Sequence, residues 1–270
     1  MKRVSRLGVL GVGAMGGALL DGILRSGAVR ATEVIAYDAD AGRLADACAR
    51  HRVTPAPSAA AAAEAACVLL CVKPYQIAGL VEEIAPSLGR DQLLISIAAG
   101  IRTTQIEAHL PAGVPVVRAM PNIAATVRVG ATGLCAGSSA RRKHLSAAER
   151  LLRGVGLTAI VDEGLMDAVT AVSGSGPAFV FLFIEAMADA GVRLGLPRAT
   201  ALALATQTVA GGAAMARDSG EHPGALKDKV TSPAGTTIEG IAALERCGLR
   251  HAVIEAVTAA GRRAQELGRS

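Results

Sequence analysis

Between a short apolar run, Leu7–Leu10, and a helical pattern beginning at residue 14 stands Gly11-Val12-Gly13-Ala14-Met15-Gly16. Three glycines at this spacing suit a strand that turns sharply into a helix. Gly11 permits the tight turn, Gly13 lets an anionic group approach the backbone, and Gly16 lets the helix pack on the strand. The start of the helix adds free N–H groups and the positive end of its dipole. In a chain with 31 glycines the motif alone proves little. Its context adds weight: a strand pattern before, a helix pattern after, and Asp38 lying 22 positions beyond Gly16 at the end of a second apolar run. We expect Gly11, Val12, Gly13, Ala14, Met15 and Gly16 to hold the pyrophosphate of a dinucleotide. The competing reading is a glycine-rich turn without a ligand.

Asp38 bears on which dinucleotide. A carboxylate there accepts both hydroxyls of an adenosine ribose and favours NADH. A 2′-phosphate would set like charges together, at about 4 kcal/mol per close pair for an effective dielectric near 20. Arg43, one turn into the next helix, softens that penalty and keeps NADPH open. The alternative role for Asp38 is to cap the helix that starts near Asp40.

Apolar runs at 7–10, 34–37, 68–72 and 93–97 read as buried strands, and 116–120 and 158–161 extend the same sheet. Helical patterns fall near 14–27, 40–50, 59–66, 75–88 and 103–109. The alanine run at 59–63 belongs to a helix, since alanine is the best helix former. Alternation of this kind implies a doubly wound α/β domain with a parallel sheet covered on both faces, the Rossmann arrangement. Beyond Asp162 only helical patterns remain, at 177–194, 198–218, 235–246 and 249–267. The expected division is therefore a dinucleotide-binding domain over 1–162 and an all-helical domain over 163–270. The second has few large side chains for a core of its own, so we expect it to complete itself by association with another subunit.

Composition removes several classes. The net charge of +5 favours anionic ligands mildly, but five aromatics and one tight basic cluster, Arg141 to His144, do not suggest nucleic acid. That cluster reads as a solvated loop leading into a helix. Five cysteines (48, 67, 71, 135 and 247) contain no CxxC pair and fit reduced thiols in the cytoplasm. The five scattered histidines show no metal-ligand spacing, and no metal is expected. Lys2, Arg3 and Arg6 before an apolar stretch superficially resemble a signal peptide. Six glycines and Asp21 interrupt that stretch, so it makes a poor membrane span. The reading finds no other segment apolar and long enough to cross a bilayer.

Further segments go beyond a generic cofactor domain: Val72-Lys73-Pro74; Ser96-Ile97-Ala98-Ala99-Gly100; Arg118-Ala119-Met120-Pro121-Asn122; Ser173-Gly174-Ser175-Gly176-Pro177-Ala178; and His222 through Asp228 followed by Thr231-Ser232-Pro233-Ala234-Gly235-Thr236-Thr237. In this order, and with the glycine motif, the chain resembles the pyrroline-5-carboxylate reductases along nearly its whole length. The stretch from His222 to Thr237 is the most specific part.

The resemblance implies a Rossmann domain followed by a helical dimerisation domain, a homodimer or larger homo-oligomer, and NAD(P)H-dependent reduction of a small cyclic imine to L-proline. It implies that Val72, Lys73, Pro74, Ile97, Ala98 and Ala99 border the nicotinamide and its ribose, and Ser58 is counted with the cofactor set. It also implies that Ser232, Gly235, Thr236 and Thr237 bind the substrate carboxylate, with the Thr237 hydroxyl near the ring nitrogen. Glu163 is placed beside substrate on the same basis, and Ser175, read as lying near substrate or nicotinamide, joins Thr237 as a candidate catalytic residue.

The residues allow plainer roles as well. Pro74 forces Lys73 into an extended conformation, so the backbone of Lys73 is a better candidate than its ammonium. Ser and Thr are common helix caps, and Ser175 with Pro177 reads as the start of a helix. Ala234 stands where relatives commonly carry glycine, and Asp38 where many carry a small or hydroxyl residue suited to NADPH. Two rival functions remain. A β-hydroxyacid dehydrogenase would need a catalytic lysine, and the helical domain offers Lys227 and Lys229. A nucleotide sensor would bind NADH without turning over an imine.

Overall fold

The computed structural model describes residues 6–268; the basic positions Lys2 and Arg3 lie outside them. Two compact units emerge. One comprises Met1–Ser175 with Ala260–Ser270, the other Gly176–Ala259.

The first unit begins with β1 (Leu7–Leu10), α1 (Ala14–Arg25), β2 (Val34–Tyr37), α2 (Ala41–His51), β3 (Thr54–Pro55) and α3 (Ala59–Ala63). It continues through β4 (Cys67–Leu70), α4 (Ile77–Ile84), β5 (Leu93–Ser96), α5 (Thr103–Glu107) and β6 (Val116–Met120). Then follow β7 (Gly130–Ala136), α6 (Arg142–Leu152), β8 (Gly156–Ile160) and the short α7 (Met166–Val169). The strands form one sheet in the order β3-β2-β1-β4-β5-β6-β7-β8. The order reverses on either side of β1, where a doubly wound sheet opens a crevice at the carboxyl ends of its strands.

Every pair in the sheet is parallel except β6 with β7, which runs antiparallel with Met120 opposite Gly133 and Val117 opposite Ala136. The sheet is thus the expected doubly wound parallel one with a single antiparallel pair. The chain returns directly from β6 through a 3₁₀ turn at Ile123–Val127 instead of crossing over with a long helix, and a direct return of that kind pairs strands antiparallel.

Strand residues alternate between two cores, as a sheet covered on both faces requires. Cys67 and Leu69 join Leu19, Leu20 and Ile23 of α1 and Leu151 and Leu152 of α6. Val68 and Leu70 join Ala59, Ala62 and Ala63 of α3 and Ile77, Val81 and Ile84 of α4. Burying each such large aliphatic side chain contributes about 1.5–3 kcal/mol. The alanine run is helical, as its propensity predicts, and its small side chains let α3 lie directly on β1. A Cβ added at Gly8 would fall 2.1 Å from the Ala62 carbonyl oxygen.

The second unit holds α8 (Gly176–Arg193), α9 (Arg198–Ser219), α10 (Pro223–Lys229), α11 (Thr236–Arg246) and most of α12 (Leu249–Leu267). Its buried core is small, built on Ala188, Ala201 and Ala205 with Ile184, Met187 and Val192 packed around them. Large apolar side chains face outward, among them Phe181 at 62% and Leu182 at 67% exposure.

Two expectations need correction here. Ser173–Pro177 does not open a helix with Ser175 as cap. Helical structure is continuous over Glu163–Arg193, 31 residues, with a π-turn at Thr170–Gly174 and Ser175 in right-handed helical conformation. The π-turn bond from Ser175 N–H to the Thr170 carbonyl (2.9 Å) carries the chain up to Pro177, which has no N–H to give. Having split that helix at Pro177, the sequence reading also missed its apolar length. Among the described residues, Glu163–Arg193 (mean hydropathy 1.5) and Arg198–Ser219 (1.2) are long and apolar enough to cross a membrane by length and composition.

Candidate functional site: a glycine loop and a helix opening

β1 ends in the glycine motif. Gly11 has φ +94°, a conformation L side chains rarely adopt, and a Cβ there would lie 2.9 Å from the Cys71 carbonyl. A Cβ at Gly16 would fall 2.1 Å from the Gly11 carbonyl oxygen, so this glycine lets α1 close on the strand. Gly13 differs: nothing lies within 4 Å of where its Cβ would be. The first and third glycines are set by packing, while the second leaves open space beside the backbone. α1 starts there with no side-chain cap and no acidic residue in its first turn. Its first N–H groups are therefore free for an anion.

A cavity of 320 Å³ opens above the loop, lined by Gly11, Gly13, Asp38, Arg43, Val72 and Lys73 among others. A second cleft of 480 Å³ lies beside it, where Gly13 and Arg43 are joined by Val12, Ala14 and Thr126. These features fit a dinucleotide: a glycine-floored cradle at uncapped helix N–H groups, with a carboxylate at the ribose end.

Asp38 does not cap α2; Asp40 does, accepting from Arg43 N–H at 2.9 Å. The Asp38 carboxylate instead ties the loop to β2. Oδ2 accepts from Val12 N–H at 2.9 Å, and Oδ1 accepts from Asp40 N–H at 3.0 Å and from Arg43 Nη1 at 3.4 Å. A carboxylate offers about four acceptor positions, so at least one stays open to a ribose hydroxyl, and Arg43 swinging away frees another.

Lys73 has φ −68° and ψ 151°, the extended backbone that Pro74 imposes, and its N–H donates to Gln76 Oε1 at 3.1 Å. Ile97 and Ala98 are buried and Ala99 is exposed at the end of β5. Met15 packs against the core. Ser58 caps α3 by accepting from Ala61 N–H at 3.1 Å and is not among the residues lining either cavity. Cavity residues that the sequence reading passed over include Tyr37, Gln76 and Leu80. Tyr37 ends β2 directly before Asp38, and Gln76 closes the 3₁₀ turn that Pro74 opens, so closeness in sequence to Asp38 and Lys73 was the available signal. Cys71 also lines this cavity, and burial pushes its thiol well above the usual range, so it is no nucleophile.

Glu163 faces inward within the first unit. Its Oε1 accepts from Thr103 N–H at 2.7 Å, its Oε2 accepts from the Thr103 hydroxyl, and Arg118 Nη1 lies 3.5 Å from Oε1.

In the second unit, Ser232-Pro233-Ala234 forms a turn closed by Gly235 N–H donating to the Ser232 carbonyl at 3.0 Å. Ala234 has φ +55°. α11 then starts at Thr236 with Gly235 as N-cap and no side-chain cap. The hydroxyls that ordinary capping would engage are thus not used for it, and the exposed helix opening keeps its N–H groups. Lys227 pairs with Asp228 at 2.7 Å and Lys229 with Glu221 at 2.6 Å, both at the surface. Among the described residues no cluster of three or more His, Cys, Asp or Glu side chains is arranged to hold a metal.

Comparison with known proteins agrees with this layout. Residues 163–267 match the family model for pyrroline-5-carboxylate reductase dimerisation, and residues 6–100 match that for NADP oxidoreductase, coenzyme F420-dependent. The pyrroline-5-carboxylate reductase of Methanosarcina acetivorans is 44% identical over 98% of this chain and 98% of its own. That of Escherichia coli is 39% identical over 98% and 99%. Among solved structures, a pyrroline-5-carboxylate reductase from Coxiella burnetii superposes with TM-score 0.94 at 36% identity, covering 98% of this chain and 99% of its own. A Plasmodium falciparum pyrroline carboxylate reductase with NADP bound superposes with TM-score 0.86 at 29% identity, covering 99% of this chain and 100% of its own. The chain belongs to the pyrroline-5-carboxylate reductase family.

Proposed function

We propose that the protein reduces 1-pyrroline-5-carboxylate to L-proline, the last step of proline biosynthesis, as a soluble cytoplasmic homodimer or larger homo-oligomer. The observation that carries this reading is the near full-length identity to reductases of that name, joined here to an intact glycine cradle.

The backbone of Gly11 through Gly16 holds the pyrophosphate, and Asp38 takes a ribose hydroxyl. Val72, Lys73, Pro74, Ile97, Ala98 and Ala99 border the nicotinamide end, and Ser58, as the cap of α3, is counted with the cofactor set. When bound, the reduced nicotinamide supplies the hydride. The free N–H groups and hydroxyls at Gly235, Thr236 and Thr237, with Ser232, suit the carboxylate of the substrate.

A protonated imine already attracts hydride at C5, so the protein needs no strong acid; addition there yields the secondary amine of proline. In this reading Thr237 Oγ1 accepts from the ring N–H, and Ser175 is assigned to the substrate or the nicotinamide. Rate enhancement then comes from orienting two bound molecules and excluding water. Of the two cofactors, Asp38 favours NADH, with Arg43 able to turn toward a 2′-phosphate.

Purified protein tests this directly: absorbance should fall when NADH or NADPH is mixed with pyrroline-5-carboxylate, and Thr237→Val should abolish most of that turnover. If neither NADH nor NADPH is oxidised, the reading is overturned. The pairing of Lys227 and Lys229 with surface carboxylates speaks against a lysine-dependent hydroxyacid dehydrogenase.

A further inference from the structure

We propose that Glu163 is a positioning residue: through Thr103 it fixes the far end of the loop whose near end borders the nicotinamide. This rests on the reading that Ile97, Ala98 and Ala99 form that border.

The loop runs from the end of β5 to the start of α5 and is held at two points. At its near end Ile97 N–H donates to the Leu70 carbonyl at 3.1 Å, and Ala98 N–H lies 3.3 Å from Ser96 Oγ. Gly100, at φ +78°, makes the reversal. At its far end the loop meets α5, only five residues long, and a helix of one turn has little stability of its own. Its first residue, Thr103, is 2% exposed. Both of that residue's donors, N–H and hydroxyl, go to the two oxygens of Glu163.

The carboxylate is in turn braced against the sheet. Arg118 of β6, whose side chain is 3% exposed, reaches Glu163 Oε1 at 3.5 Å, and Arg118 stands opposite Ser96 in the β5–β6 register. One acidic group therefore joins the far anchor of the loop to the strand beside its near anchor. Arg118 Nη2 is buried without a hydrogen-bond partner among the described residues, so Glu163 is the counter-charge that this guanidinium has. A charge-assisted clamp that joins buried Thr103 and buried Arg118 through one half-buried carboxylate is more than holding a surface loop requires. It suits a loop whose atoms must sit at a fixed distance from a reacting ring, where a displacement of about 1 Å costs roughly 100-fold in rate. With both oxygens committed to Thr103, direct contact with substrate is not the role this geometry describes.

Removing Glu163 outright leaves a buried cation and two buried donors unpaired and invites misfolding, so the test uses milder variants. Glu163→Gln and Thr103→Val are compared with wild type and with Thr103→Ser, which keeps the hydroxyl. Steady-state kinetics are read beside calorimetric binding of NADH and of ADP-ribose, which lacks the nicotinamide. The expected result is a fall in kcat of about tenfold or more in both milder variants. ADP-ribose affinity should stay within about twofold of wild type, and Thr103→Ser should restore kcat.

Unchanged kcat in Glu163→Gln and Thr103→Val would overturn the proposal. So would a parallel loss of ADP-ribose binding, NADH binding and melting temperature, which would make the clamp merely structural. A rise confined to the imine KM in Glu163→Gln, with Thr103→Val silent, would make Glu163 a substrate contact instead. Ala99→Leu separates the underlying reading: bulk at this exposed position should block NADH but spare ADP-ribose. If it spares both and turnover is normal, the loop does not border the nicotinamide, whatever Glu163 does.

Discussion

Asn122 Nδ2 donates to the carbonyl of Ser173 at 3.0 Å, while Asn122 Oδ1 accepts from Ala131 N–H at 3.2 Å. The helical turn before Pro177 is one N–H short, and the asparagine from the end of β6 supplies a donor in its place. Two sequence segments more than fifty residues apart are thereby explained together. Asn122→Asp keeps the acceptor and loses the donor, so it should cost about 1–3 kcal/mol in urea denaturation. A melt indistinguishable from wild type would show that the Ser173 carbonyl finds another partner.

Ala234, at φ +55° in the turn before α11, sits where an L side chain costs about 1–2 kcal/mol. Ala234→Gly removes that strain but admits more freedom to the unfolded chain, for a net stabilisation of about 0.5 kcal/mol. Ala234→Val should destabilise by more than about 1 kcal/mol, since a β-branched side chain is poorly tolerated there. Thermal melts of the three proteins should rank Gly above Ala above Val.

The glycines of the cradle should separate folding from binding. Gly11→Val meets the Cys71 carbonyl and a positive φ, and soluble yield should drop. At Gly13 an added Cβ meets nothing within 4 Å, so the melting temperature of Gly13→Val should stay near wild type. NADH affinity, read by fluorescence titration, should nevertheless weaken by at least about 100-fold, equivalent to about 2.7 kcal/mol.

Replacing Asp38 should move cofactor choice. In Asp38→Ser the repulsion of a 2′-phosphate disappears and Arg43 is released from its 3.4 Å contact. The ratio of kcat/KM for NADPH over NADH should rise by about tenfold or more. Loop stability should fall somewhat, because Val12 N–H loses its partner. An unchanged ratio would mean that Asp38 serves the loop alone.

Burial pushes the thiols of Cys67 and Cys135 up to about 12 from an ordinary 9.0. Below the ordinary value both states keep their protons, and these groups make no difference to folding. As pH rises from there toward about 12, only the unfolded chain releases protons, so stability must fall by about 1.4 kcal/mol per pH unit per thiol. Guanidinium melts at about pH 8 and about pH 10 should show the decline, and Cys67→Ala should show a shallower one despite its lower starting stability.

Much of the first unit is legible from its residues. The strands Leu7–Leu10, Val34–Tyr37 and Val116–Met120 match the apolar runs residue for residue, because strands of a sheet covered on both faces are built mostly of apolar side chains, with Arg118 the exception here. β3 is two residues long and carries a proline, and β7 reads GATGLCA, with two glycines and little β-branching. Neither has a signal of that kind. The helical patterns omit α6, α7 and α10, although the basic cluster reads as leading into a helix, and α6 does begin at Arg142. Glycine spacing located the cradle, but no sequence pattern could reveal that Asp38 holds Val12 or that Glu163 reaches Thr103, 60 positions away. Contacts across such separations depend on strand order, which only the folded chain displays.

The reversal of chain direction at β7 has a practical outcome. Met120, at the same rim as Gly11, lies opposite Gly133, so β7 carries the chain down to Ala136 at the other rim. Ser139, in the short connection from there to α6, therefore sits across the full height of the sheet from the cradle. A fluorophore or affinity handle attached at that serine would report on the molecule while leaving the cofactor's doorway untouched.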